Sequence, residues 1–82
     1  MSSIRWIRNV LVDGELVTLE IMVGMDQIAD KCYVRINQES EMYFRPDFET
    51  REAIVRKGVD VLQKHFADRH VCLPNGQPFL WV

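Results

Sequence analysis

The chain has 82 residues, 48% of them hydrophobic and 27% charged, with a formal net charge of −2. A chain this short folds as a single domain, residues 1–82, around one modest core, and its ordinary composition excludes a disordered tail. The slight acidic balance excludes nucleic-acid binding driven by a basic field over the whole molecule.

The stretch Met1–Trp6 lacks the basic, apolar and small-residue zones of a signal peptide. The densest apolar run, around Leu16 to Met25, is broken by Thr18 and Glu20 and falls short of the ~20 residues of a spanning helix. The expectation is a cytoplasmic protein without a membrane span. Its two cysteines, Cys32 and Cys72, are expected to stay reduced.

Residues 4–23 read as a β-hairpin, because Asp13-Gly14 suits the two positive φ angles of a type I′ turn. With Val12 and Glu15 flanking that turn, residue i faces residue 27 − i. Ile4, Trp6, Val10 and Val12 then share a face with Val17, Leu19, Ile21 and Val23. Arg8 is the exception on that apolar face, which calls for a bulge or for an edge position where it snorkels. Gly24 to Lys31 reads as a connection. A third strand follows at Cys32–Asn37 and a fourth at Glu41–Arg45, the latter ended by Pro46. Short connections make the four strands an antiparallel meander.

Thr50 has the chemistry of an N-cap, with Glu49 and Glu52 near the positive end of the helix dipole. Ile54, Val55, Gly58, Val59, Val61, Leu62, His65 and Phe66 fall on one arc, and Glu52, Arg56, Asp60, Lys64 and Asp68 alternate in sign on the other. Thr50–Asp68 is therefore predicted as a helix with one buried face. Gly58 within that face implies close approach to the sheet. Val71–Leu73 and Phe79–Val82 flank Pro74-Asn75-Gly76-Gln77-Pro78, an irregular hairpin. Its aromatic end is expected to dock. Together these elements predict an α+β fold: an antiparallel sheet of four or more strands, one long amphipathic helix of about residues 50–68 on one face, and that C-terminal hairpin. The expected core is Trp6, Val10, Val17, Leu19, Ile21, Val34, Ile36, Phe44, Ile54, Val61, Leu62 and Phe66.

Motifs for chemistry are missing. There is no phosphate-cradling GxGxxG or GxxxxGK[ST] and no C-x-x-C or H-x-x-x-H spacing. His70 and Cys72 share one side of an extended segment, but without a third group to orient a base. His65, in the apolar arc, reads as a partly buried structural histidine. No metal, cofactor or catalytic residue is expected, and the balance leans away from an enzyme.

The informative surface is the sheet face turned away from the helix. If Val34, Ile36, Met42 and Phe44 face the helix, then Tyr33, Arg35, Asn37, Tyr43 and Arg45 line the opposite side, joined by Arg5 from the hairpin. Tyrosine and arginine are favoured at protein interfaces. Aromatics among basic groups on an open sheet are also how single-stranded nucleic acids are stacked. A purely solvated face needs no ligand. The expectation is a non-catalytic binding or protein-interaction module, a monomer or weak homodimer with an unidentified protein partner. Weak single-stranded nucleic-acid binding is the alternative.

The run Phe48-Glu49-Thr50-Arg51-Glu52-Ala53-Ile54 resembles the helix opening of small, mostly uncharacterised bacterial domains in which a β-meander precedes one amphipathic helix. HicB-like antitoxins open their helix in a similar way. The resemblance implies a bacterial origin and an unassigned function, with an antitoxin-like regulatory role as an alternative; it implies no site residues.

Overall fold

The computed structural model describes residues 3–24, 32–45 and 50–81. The connection expected at 25–31, the approach to the helix at 46–49 with Pro46, and Val82 lie outside the described residues.

Strands β1 (Ser3–Val12) and β2 (Glu15–Gly24) form the hairpin, and their partners run from Ser3↔Gly24 to Val12↔Glu15 without a slip. Asp13 and Gly14 carry φ of 52° and 89°, the torsions that match the turn to strand twist. β3 (Tyr33–Ile36) pairs with β2, and β4 (Glu41–Tyr43) with β3. The meander is joined by β5 (Val71–Cys72), which pairs with Leu11 and Val12, giving the antiparallel order β4-β3-β2-β1-β5.

Helix α1 (Arg51–His65) opens as the sequence predicts, with the Thr50 side chain accepting from the Ala53 amide at 3.2 Å. It closes earlier than Asp68. The Phe66 amide reaches the Leu62 carbonyl, and the Ala67 amide then bonds back to Lys64 and the Arg69 amide to Phe66. Such i→i−3 bonds tighten the chain out of the helix. Asp68 consequently leaves the charge ladder, in which Asp60 and Lys64 pair at 3.1 Å. His65, in the last helical turn, is exposed rather than partly buried, with its ring edge-on to Phe66.

The core lies between the helix and one sheet face. Val10, Val12, Val17, Leu19, Ile21, Val23, Cys32, Val34, Leu62 and Phe66 are buried, and Trp6, Ile36, Phe44, Ile54 and Val61 pack around them. At Gly58 the helix backbone approaches the sheet closely. A Cβ built there would stand 2.7 Å from Ile21 Cγ2. The C-terminal aromatics dock on the same side: Trp81 stacks on Phe66 at 6.3 Å and meets Phe79 edge-on, while Leu80 stays exposed. A bridge between Cys72 and Pro78 is the only strand-like pairing there among the described residues. Cys32 and Cys72 are not joined in a disulfide.

Two expectations follow. Alanine at position 58 gains about 1 kcal/mol of helix propensity but forces a methyl against the stiff β-branched Ile21, an overpacking cost of about 1–3 kcal/mol. Gly58→Ala should therefore lower the urea midpoint. The second concerns pH. Asp13 accepts from the Arg69 guanidinium and the His70 amide, which hold its carboxyl below the usual aspartate range, the guanidinium contributing most. A depressed folded pKa contributes stability above the unfolded value, lost as pH falls through the folded one. Thermal unfolding followed down through and below the usual aspartate range should show Asp13→Asn with a weaker acid dependence than the native chain.

Candidate functional site

Alternation in β1 to β4 sends every second side chain to the face that no described element covers. Pairing between strands then lines these residues up in rows. Tyr43 sits opposite Tyr33, which sits opposite Met22, which sits opposite Arg5. One step along, Glu41 faces Arg35, Arg35 faces Glu20, and Glu20 faces Ile7. The face is thus built of an aromatic row beside a charged row.

The aromatic row has a defined geometry. The Tyr33 and Tyr43 rings lie 5.4 Å apart at 52°, within the range of attractive aromatic pairs. Tyr43 is 58% exposed, and its hydroxyl donates to Glu41 Oε1 at 3.0 Å. The Arg35 guanidinium is 5.7 Å from the Tyr33 ring centroid, so one edge of the pair also carries a cation–π contact.

The charged row is centred on Glu20, which sequence reasoning missed. Its side chain is only 4% exposed, with Arg35 at 3.2 Å and Arg5 at 3.6 Å from the same oxygen. Glu20 Oε1 and Arg35 Nε are buried and have no hydrogen-bond partner. The sequence did carry a signal: 27 − 20 is 7, so the hairpin register alone sets Glu20 opposite Ile7 and on the side of Arg5. Its link to Arg35 needs the β2–β3 register.

The expected site residues therefore divide. Tyr33, Arg35, Tyr43 and Arg5 come together on one face. Asn37 is used by the fold instead: with φ of 55°, followed by Gln38 at 57°, it begins the β3–β4 turn. Its Oδ1 accepts from the Thr18 amide at 2.9 Å. Arg45 lies beyond β4 and is exposed, and its carbonyl accepts from Lys57 Nζ at 2.8 Å. Arg8, the outlier, stands opposite Leu19 without a bulge and lies over the Trp6 ring at 4.8 Å, at the sheet edge.

Elsewhere, a depression beside the helix end gathers His70 with Asp60, Lys64, Arg69 and Trp81, without Cys72 or His65 among its walls. Among the described residues no three His, Cys, Asp or Glu side chains converge on a point that would hold a metal ion. No described helix is long and apolar enough to cross a membrane.

No protein-family model matches the chain, no curated protein matches its sequence, and no solved structure matches its fold.

Glu20 offers a direct measurement. Glu20→Ala strands the half-buried Arg35 and should cost about 1–3 kcal/mol, the range for a buried polar group left without its partner. Arg5→Ala removes an exposed partner and should stay within about 1 kcal/mol. A double-mutant cycle on Glu20 and Arg35 by denaturant unfolding should give a coupling larger than that for Glu20 and Arg5.

Proposed function

We propose that this chain is a non-catalytic binding module that holds a protein partner on its open sheet face. The observation that carries the reading is the tilted Tyr33–Tyr43 pair, with Tyr43 exposed and Tyr33 half-buried, beside Arg5 and Arg35, which share Glu20 as an ion-pair partner, and Glu41, which faces Arg35 across the strands. Tyrosines supply rigid contact area at low entropic cost, and they recur at interface hot spots. Paired arginines add planar surface for stacking and hydrogen bonding without a net field.

The same charge balance argues against single-stranded nucleic acid. Arg35 lies between two glutamates in its row, so few phosphates gain a free cation there. With ~0.7 counterions released per phosphate contact, the salt slope would be about −1 or less in magnitude. Cysteines not joined in a disulfide, at positions 32 and 72, fit a cytoplasmic setting. The β-meander-plus-helix plan fits the small bacterial domains that the helix opening resembles.

The test compares two variants of the full chain in binding a partner captured from cytoplasmic extract and then purified. Tyr33→Ala/Tyr43→Ala should weaken the measured affinity by about 30-fold or more, the loss that defines a hot spot at 2 kcal/mol. Lys64→Ala, on the helix surface, should leave it unchanged. The arginines are left intact because removing Arg35 would disturb Glu20. Equal affinity in the double variant, or a saturable low-salt response to single-stranded RNA centred on the tyrosines, would overturn the reading.

A further inference from the structure

Alternation along β1 turns its even-numbered side chains toward the helix, as the buried Val10 and Val12 show. Trp6 and Arg8, on the same side, line a groove of about 210 Å³ together with Val55, Arg56 and Val59 of the helix. Trp81 and the exposed Leu80 complete it. Most of its lining is apolar, and its charged residues, Arg8, Arg56 and Glu52, are all exposed. Arg8 is held in place. Its guanidinium donates to the Ile7 carbonyl at 2.7 Å and lies 4.8 Å from the Trp6 ring centroid. A guanidinium has five N–H donors, so that placement leaves most of the fork for another acceptor. Among the described residues, neither Arg8 nor Arg56 has a carboxylate within ion-pair distance.

We propose that this groove is a binding site for a small apolar monocarboxylate, an aryl or alkyl acid. Arg8 and Arg56 take the carboxylate, and the apolar body lies against Val55, Val59 and Trp81. Charge selects the class. Two guanidiniums against the single Glu52 leave the groove one positive charge in excess, which one carboxylate balances. A second carboxylate on the ligand would meet Glu52 with no cation left for it. The planar guanidinium matches the two oxygens of a carboxylate, and such charge-assisted bonds are about twice as strong as neutral ones. Volume selects the size. The groove is smaller than the ~300–1,000 Å³ of drug-sized sites, so its occupant is about one ring or a short alkyl chain.

The neighbouring depressions do not offer this. Beside the helix end, Lys64 is already paired with Asp60 and Arg69 with Asp13. The hollow beside Phe79 and Leu80 shares Arg56 but sets Asp60 next to it in place of Arg8. On the opposite side of the sheet, Arg5 and Arg35 share Glu20. The groove is thus a site apart from the face proposed for a protein partner, and the two readings stand or fall separately. A ligand of about ten non-hydrogen atoms should bind here with a dissociation constant of about 0.1–1 mM.

Trp6 and Trp81 are the chain's two tryptophans and both line the groove, so intrinsic fluorescence reports its occupancy. Phenylacetate titrated into the full chain to about 10 mM, at neutral pH and low salt, should give a saturable change. Amide chemical shifts should centre on Val55 and Val59. Phenylacetamide, the same body without the charge, should bind about tenfold more weakly or worse. Arg56→Gln, on the exposed helix surface and checked for native amide exchange, should weaken phenylacetate about fivefold or more. Glu52→Gln removes the opposing charge and should tighten it about twofold. Tyr33→Ala/Tyr43→Ala should leave it unchanged, which separates this site from the open-face reading. The proposal is overturned by no saturable response, by equal binding of phenylacetamide, or by indifference to Arg56→Gln. Weakening in Glu52→Gln, loss in the tyrosine variant, or shifts centred on Tyr33 and Tyr43 overturn it as well. An acetylated peptide ending in phenylalanine that binds about tenfold tighter than phenylacetate would assign the groove to a chain terminus and overturn the free-acid reading.

Discussion

Two positive backbone torsions, at Asp13 and Gly14, constrain nearly everything else in this molecule. They set the partner of each residue in two ten-residue strands, and a slip of one would turn the whole apolar set outward. Asp13 also reaches beyond its own hairpin. Its carboxylate accepts from Arg69 and from the His70 amide, and its own amide donates to the His70 carbonyl. One turn residue thus fixes the hairpin register and the docking of β5 beside it. An asparagine there keeps the torsion but loses the charge, which is why acid dependence isolates the second role.

The register divides the sheet between two kinds of surface. On one side Leu19, Ile21 and Val34 make a dry floor, and Gly58 lets the helix backbone settle onto Ile21. On the other, Glu20 is buried without any covering layer among the described residues. Arg5 and Arg35 lie on either side of it, and both pair with the same oxygen of the buried carboxylate. Burying a charge is expensive unless it is paired. The cluster therefore holds its arginines in place.

The hairpin, the helix start and most of the core were legible in the sequence because each rests on local chemistry. A two-residue turn fixes parity, and Thr50 with its following apolar arc fixes a helix. The features that escaped depend on longer-range geometry. The helix end at His65 follows from how the chain must leave toward β5, which no residue type announces. Asn37 alternated correctly with Tyr33 and Arg35, yet its side chain is taken by the Thr18 amide once the β2–β3 register exists. Glu20 was half legible. Its face follows from the turn, but its bond to Arg35 depends on the β2–β3 register, which no two-residue turn motif in the sequence announces. The candidate face was thus readable as a set of residues and unreadable as a balance of charges.

That balance decides what kind of recognition the face supports. With Arg35 between Glu20 and Glu41, the charged row acts as alternating dipoles whose field fades quickly, leaving little long-range steering of an anionic partner. In the proposed reading, selectivity would rest on contact: the shape of the Tyr33–Tyr43 pair and hydrogen bonds to groups already held in position.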